Sequence, residues 1–329
     1  MKKIMALFLA AVAAFSVSGG VLAQEDMAAG QADNQETAIL GEETVPQGDP
    51  TGLSFDPDKN QDNAVLGETV LRPGIEYQFP ANLVFDGKAY PITEKMVKNL
   101  RFSYNKLTNT AVKTFKIQET KGKYFLFVEM KDSVPNEVEE IRYTVKLTPR
   151  DGSLALFSQE VGFQYGYHEY DNDIIAGLEK GEEVYITNNS PVITDVQFER
   201  IAEINEYRKA VLAGPSWKVE VSVTAEDTKN FVSNHTGIRE ILTRFPNQEF
   251  KFFNFPGKPS FASAGKVGLN VETLLEDYKD LYVYRYANGR LYTIKGILNE
   301  ETKMMEFYTN RLDNFFVTNR KIQDGYQIA

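Results

Sequence analysis

The chain has 329 residues, of which 42% are hydrophobic and 12% aromatic, and its formal net charge is −10. This length accommodates about two domains of roughly 100–200 residues each, and the apolar content excludes a chain that is disordered throughout. Cysteine is absent from the sequence, which excludes disulfides, thiolate metal sites and a cysteine nucleophile.

Residues 1–23 have the pattern of a secretory signal peptide. Lys2 and Lys3 form a basic start, an apolar run covers residues 4–15, and small residues precede Gln24. The apolar run is too short to span a membrane. We therefore expect export, with no integral membrane segment after cleavage. We also expect no covalent cell-wall anchor, because the sequence has neither a Leu-Pro-x-Thr-Gly motif nor a final apolar tail.

Residues 24–65 are predicted to form a disordered acidic linker. Ten carboxylate side chains accompany the single Lys59 in this segment, so it holds most of the net negative charge of the chain. A self-repelling segment of this kind stays extended. The rest of the chain is close to neutral and has no basic stripe to bind phosphates, so we expect no nucleic-acid partner.

Oxygen-bearing side chains alternate near the end of this linker, as they do in a calcium loop. The candidate metal ligands are Asp56, Asp58, Asn60 and Asp62. The EF-hand pattern also requires glycine at its sixth position and glutamate at its twelfth, where this sequence has Gln61 and Gly67. A solvated acidic turn is the alternative. Apart from Ca²⁺ at this loop, the sequence indicates no cofactor.

Residues 66–173 are predicted to form a β-sandwich domain. Short runs of alternating polarity are separated by turn dipeptides at intervals of about ten residues. Residues 124–128 are apolar on both faces, which is typical of a central strand. About seven strands with this spacing favour an immunoglobulin-like topology.

Residues 174–329 are predicted to form a second immunoglobulin-like, β-rich domain that includes short helices. Thr194 and Gln197 have the spacing of a capping box, which predicts a helix over 195–205. An apolar stripe predicts another helix over 237–244. Trp217 begins an alternating run and is expected to anchor the core. Phenylalanines on both faces of residues 250–255 predict a central, buried strand.

Two alternating runs flank Asn288-Gly289 and predict a β-hairpin, because this dipeptide tolerates the positive φ angles of a tight turn. Aromatic side chains recur at every second position of the first strand, so they share one face. Aromatic rings of this kind stack on sugar rings, although the alternative is that they cover the edge of a core. The candidate ligand-binding residues are Tyr282, Tyr284, Tyr286 and Tyr292.

Three stretches of the second unit carry a resemblance. Residues 253–261 read Phe-Asn-Phe-Pro-Gly-Lys-Pro-Ser-Phe, residues 282–291 form the tyrosine hairpin, and residues 308–317 run from Tyr308 to Val317. Together they resemble the closing β module of secreted proteins from clostridia-like anaerobic bacteria, over about residues 191–322. The resemblance implies an extracellular location and supplies no catalytic residue.

The sequence contains no recognised catalytic motif. Histidine occurs only at His168 and His235, and neither His-Glu-x-x-His nor Gly-x-Ser-x-Gly is present. We therefore expect a secreted, non-catalytic cell-surface protein for adhesion, structure or display, with a cell-surface protein or polysaccharide as its partner. Two alternatives stay open. One is a carbohydrate-binding module that uses the tyrosines. The other is a glycan-active enzyme, whose two catalytic carboxylates are recognised by the distance between them in the folded protein and not by a sequence motif.

Overall fold

The computed structural model describes residues 46–108 and 111–328. The predicted signal peptide and the linker residues 24–45 lie outside the described residues. The described chain is mainly β and contains several sheets, as the sequence predicted.

Before residue 166, the described residues form nine strands and one short helix, α1 at Glu94–Val97. The strands are β1 Gly52–Phe55, β2 Val70–Leu71, β3 Glu76–Phe85, β4 Lys88–Pro91, β5 Leu100–Lys106, β6 Val112–Thr120, β7 Lys123–Met130, β8 Glu139–Pro149 and β9 Phe157–Tyr165. One sheet has the order β1-β3-β7-β6, with β4 also paired to β3, and the other has the order β2-β9-β8-β5.

The two sheets share one hydrophobic cluster. Phe115 of β6 stacks on Tyr143 of β8, with ring centroids 4.0 Å apart. Leu126 and Val128 of β7 are fully buried on the same side. The predicted central strand is confirmed, because β7 lies between β3 and β6.

Residues 46–65 correct the predicted linker. β1 pairs antiparallel with β3, and Leu53 and Ala64 are buried. The side-chain amide of Gln159 accepts a hydrogen bond from Leu53 N at 2.7 Å and donates one to Leu53 O at 3.0 Å. Strand β1 is not evident from local sequence, because its partners, β3 and Gln159, are distant in the chain and its acidic neighbours dominate the local composition.

After residue 166, the described residues form twelve strands and four short helices. The helices are α2 Asn172–Ala176, α3 Asp195–Ile204, α4 Arg239–Arg244 and α5 Glu272–Leu275. The strands are β10 Glu183–Tyr185, β11 Val192–Ile193, β12 Lys209–Gly214, β13 Trp217–Ser222, β14 Lys229–Asn230, β15 Phe250–Phe253, β16 Ser260–Asn270, β17 Tyr282–Ala287, β18 Arg290–Ile294, β19 Ile297–Asn299, β20 Met304–Arg311 and β21 Asn314–Thr318.

Local signals placed several of these elements correctly. The capping box of α3 is present: Gln197 N donates to Thr194 Oγ1 at 3.2 Å, and Thr194 N donates to Gln197 Oε1 at 3.1 Å. The hairpin of β17 and β18 turns at Asn288 and Gly289, with φ angles of 50° and 72°. None of the helices in the described part of the chain is long and apolar enough to span a membrane.

Two main sheets build the second half of the chain, in the orders β10-β12-β13-β16-β20-β19 and β15-β21-β17-β18, while β11 pairs with β14. The large cluster between them contains Trp217, which is 2% exposed and anchors this core as predicted. The far face of the four-stranded sheet carries a third cluster, covered by Ile241 of α4 and by residues 322–328. The prediction for residues 250–255 is corrected, because β15 is buried on both faces but lies at the edge of its sheet.

The core clusters divide near residue 170, since Tyr165 belongs to the first cluster and Tyr170 to the second. The described residues nevertheless belong to one compact unit. Hydrogen bonds cross the division, including one from Asn230 Nδ2 to Pro135 O at 2.9 Å.

Candidate functional site

Tyr284 does not lie on an exposed aromatic face. Its side chain is fully buried, and its ring stacks on Phe316 with centroids 5.3 Å apart. The Tyr284 hydroxyl accepts from Ile322 N at 2.6 Å and donates to Ile322 O at 3.0 Å. Burial raises the pKa of this hydroxyl. Tyr282 and Tyr286 are half-buried against the same cluster.

Tyr292 lies on the opposite face of the hairpin. The strand register pairs Arg285 with Tyr292 and Tyr284 with Thr293, so these two pairs point to different sides of the sheet. The guanidinium carbon of Arg285 lies 5.1 Å from the Tyr292 ring centroid. The four predicted residues therefore do not share one face, and Tyr282, Tyr284 and Tyr286 follow the alternative of covering a core.

Asp58 is the one predicted metal ligand that is buried. Its carboxylate already accepts hydrogen bonds from two backbone amides. Its Oδ1 accepts from Asn60 N at 2.8 Å, and its Oδ2 accepts from Gln78 N at 2.6 Å. Asp56, Asn60 and Asp62 are exposed. Within residues 46–108 and 111–328, no three acidic or histidine side chains are grouped to hold a metal ion. Asp58 ties its loop to β3, and calcium binding by this loop stays a prediction.

A serine and a histidine that no sequence motif singled out lie together near one end of the six-stranded sheet. Ser216 is in the two-residue turn between β12 and β13, and its Oγ lies 2.8 Å from Nε2 of His235. Nδ1 of His235 lies 2.5 Å from the carbonyl oxygen of Phe252. His235 is exposed and Ser216 is half-buried, so solvent reaches the pair.

The chemistry of its partners determines the tautomer of His235. A carbonyl oxygen can only accept, so Nδ1 carries the hydrogen and donates to Phe252 O. In the neutral ring, Nε2 is then the acceptor, and the Ser216 hydroxyl donates to it. A histidine in this state can remove the proton of a serine nucleophile.

Asn254 holds both neighbours of His235 in place. Asn234 and Asn254 exchange two backbone hydrogen bonds of 3.0 and 2.9 Å. The side-chain nitrogen of Asn254 donates to Asn234 Oδ1 at 2.9 Å and to Thr236 O at 2.8 Å. Because Asn254 is buried, water competes little for these bonds. The imidazole is thus positioned before any ligand arrives.

The turn that carries Ser216 is fixed as well. The Ser216 carbonyl accepts from Asn270 N at 2.8 Å. The indole nitrogen of Trp217 donates to Ser233 Oγ at 3.1 Å, which ties the turn to the segment containing His235. A Cβ at Gly214 would lie 2.3 Å from the Trp217 indole, so this position requires glycine.

Lys251 contacts one neighbour of each member of the pair. Its Nζ donates to Asn270 Oδ1 at 3.4 Å and lies 5.9 Å from the centroid of the Phe253 ring. Phe253 in turn meets the His235 ring edge-on, with centroids 5.3 Å apart. Burial lowers the pKa of Lys251, against the raising effect of Glu272. We call Ser216, His235, Lys251, Phe253 and Asn270 the Ser–His cluster.

The local sequence does not predict this cluster. Ser216 and His235 are 19 residues apart, and their neighbours match no known spacing. The only available signal was that His235 is one of two histidines in the chain.

A second surface lies on the outward side of β7. Phe125 and Phe127 are half-buried, their centroids are 6.3 Å apart, and neither belongs to the core cluster between the two sheets. Polar side chains from the neighbouring strands β3 and β6 lie beside them. The register partners include Gln78 and Lys116 for Phe127 and Gln118 for Phe125. We call these five residues the Phe face.

Comparisons with known proteins do not place the chain in a family. No family model matches it, and no curated protein matches it. Among solved structures, the ZirS C-terminal domain is similar at 14% identity, over 44% of this chain and 86% of that chain, with a TM-score of 0.23. A TM-score this low carries no argument, so the function is argued from the geometry of the chain itself.

Proposed function

We propose that the chain is an exported protein of the extracellular space or cell surface that acts by binding, in adhesion, structural assembly or display. The observation that carries the proposal is the Phe face, where Phe125 and Phe127 point away from the core. Aromatic patches with a polar rim mark interaction sites on soluble proteins. The predicted signal peptide and the resemblance to secreted modules support the location.

The finer fold is part of the same proposal. Two immunoglobulin-like domains follow one another in the chain and divide near residue 170, and the first includes β1. For the first, support comes from two antiparallel-rich sheets that enclose one cluster, the arrangement of a β-sandwich. For the second, support comes from the large cluster between the six- and four-stranded sheets.

A polysaccharide is the ligand that the Phe face favours, in place of the tyrosine hairpin. Aromatic rings cover the CH groups of a sugar. The amides of Gln78 and Gln118 both donate and accept hydrogen bonds, which suits hydroxyl groups. This second candidate uses the same surface as the first and adds the class of ligand that the surface would bind.

The test is a glycan and cell-wall binding array with the chain that lacks residues 1–23, compared with its Phe127→Ala variant. We expect affinity to fall by about tenfold or more in the variant, as for a central aromatic contact. Tyr292→Ala is the matched control, because it removes a half-buried ring from a different sheet, and it should bind as the wild type does.

Other outcomes decide against parts of the proposal. Loss of binding in Tyr292→Ala alone would move the site to the hairpin. If neither glycans nor walls were bound, the polysaccharide would be rejected. If pull-downs from an intact cell surface also recovered no partner, the proposed binding role would be rejected.

A further inference from the structure

We propose that Ser216 is a nucleophile that accepts the acyl group of a carboxylic ester, with His235 as its general base. The inference goes beyond the binding role and departs from the non-catalytic expectation of the sequence, because it adds an activity at a site remote in sequence from the Phe face. It rests on the 2.8 Å contact from Ser216 Oγ to His235 Nε2 and on the 2.5 Å contact from His235 Nδ1 to Phe252 O.

The first contact lies within the range that a general base needs, about 2.6–3.2 Å between heavy atoms. The second fixes the tautomer in which Nε2 accepts a proton. Both His235 and Ser216 are held from outside the pair, His235 by Asn254 and Ser216 by Asn270. A nucleophile, its base and the group that orients the base are therefore all in place.

The reaction conserves atoms and charge. Ser216 Oγ bonds to the carbonyl carbon of the ester while its proton passes to His235 Nε2. The bond from that carbon to the alcohol oxygen then breaks, and His235 returns the proton to the departing alcohol. Water repeats the sequence: it gives a proton to His235, attacks the acyl carbon and releases the carboxylic acid, and the proton returns to Ser216 Oγ.

The carbonyl oxygen of Phe252, which orients His235, determines the class of substrate. Phe252 O orients the imidazole but carries no negative charge, so it stabilises the imidazolium intermediate less than a carboxylate would. An alcohol leaves with less help from a proton donor than an amine does. We therefore assign esters, not amides, to this site.

The direct test is labelling of the chain that lacks residues 1–23 with a fluorophosphonate probe, followed by peptide mapping, and hydrolysis of p-nitrophenyl acetate. We expect one label, on the peptide that contains Ser216, and none in Ser216→Ala. His235→Asn should slow both labelling and hydrolysis by about 100-fold. Ser153→Ala is the matched control. Its exposed hydroxyl donates to Asp151 at 2.7 Å, and its removal should change neither rate.

A second measurement keeps the proposal testable if esters turn over too slowly. The chain contains no cysteine, so Ser216→Cys and Ser153→Cys each introduce a single thiol. Iodoacetamide should alkylate the first at least about tenfold faster than the second, because an adjacent histidine promotes the thiolate. Adding His235→Asn to the first should abolish the difference. Circular dichroism checks that each variant is folded.

Equal alkylation rates at the two positions, together with no fluorophosphonate label at Ser216, would overturn the proposal. The contact would then serve only to tie the β12–β13 turn to the neighbouring segment. Labelling that persists in folded His235→Asn would reject the base. None of these results tests glycan binding by Phe127, so either proposal can be rejected while the other stands.

Discussion

The Tyr284 hydroxyl shows how a single polar atom decides the role of an aromatic side chain. It bonds both the amide and the carbonyl of Ile322, and these bonds join β17 to the segment that follows β21. An exposed sugar-binding tyrosine would leave its hydroxyl to the ligand. Tyr284 therefore stabilises the fold.

Replacing Tyr284 by phenylalanine should lower the free energy of unfolding by about 1–3 kcal/mol, because Ile322 N and O lose their partner inside the protein. Chemical denaturation measures the change. Tyr292→Phe is the control, since that ring is only half-buried, and it should cost less than about 0.5 kcal/mol. Equal losses in the two variants would contradict this account.

Among the strands, β1 depends on a side chain that makes the hydrogen bonds a neighbouring strand would otherwise make. The Gln159 amide bonds both backbone groups of Leu53 and so links the two sheets of the first half. The approach is close, since a Cβ at Gly52 would lie 2.9 Å from Gln159 Oε1.

Gln159→Leu should destabilise the chain by about 1–2 kcal/mol, because Leu53 N and O are left without this partner. It should also speed hydrogen exchange at the Leu53 amide more than in β7, since opening is local to β1. Exchange followed by mass spectrometry provides the measurement. Gln164→Leu, an exposed position on the same strand, is the control. Unchanged exchange at Leu53 would mean that pairing with β3 alone holds β1.

For the molecule as a whole, two half-buried tyrosines make stability depend on alkaline pH. Burial raises the pKa of Tyr104 to about 12 and that of Tyr167 to about 12, compared with about 10 in an unfolded chain. The folded state therefore keeps these protons at a pH where the unfolded state has lost them. Their stabilising contribution is complete below pH 10 and is lost as the pH rises from about 10 to about 12.

We expect the denaturation midpoint to fall across that interval. Tyrosinate absorbance should show one group of tyrosines that ionise near pH 10 and a late group that ionises on unfolding. Tyr104→Phe is the informative variant, because it should reduce the slope of stability against pH between pH 10 and 12. An unchanged slope in this variant would assign the dependence to other residues.

Features that depend on neighbours in the chain could be predicted from the amino-acid sequence alone. The capping box of Thr194 and Gln197, the turn at Asn288 and Gly289, and the mainly β class all follow from local spacing and were confirmed. Backbone conformation at these places is controlled by side chains within a few residues. The predictions for export and for the partner rest on the sequence alone.

The tertiary structure decided everything that depends on which segments become neighbours. It buried Tyr284 beneath Ile322, because the alternation that places tyrosines on one face does not say what covers that face. It built β1 from a segment that composition assigned to a linker. It also brought Ser216 and His235 together across 19 residues, since only the packing of the β12–β13 turn against the segment before α4 sets that distance.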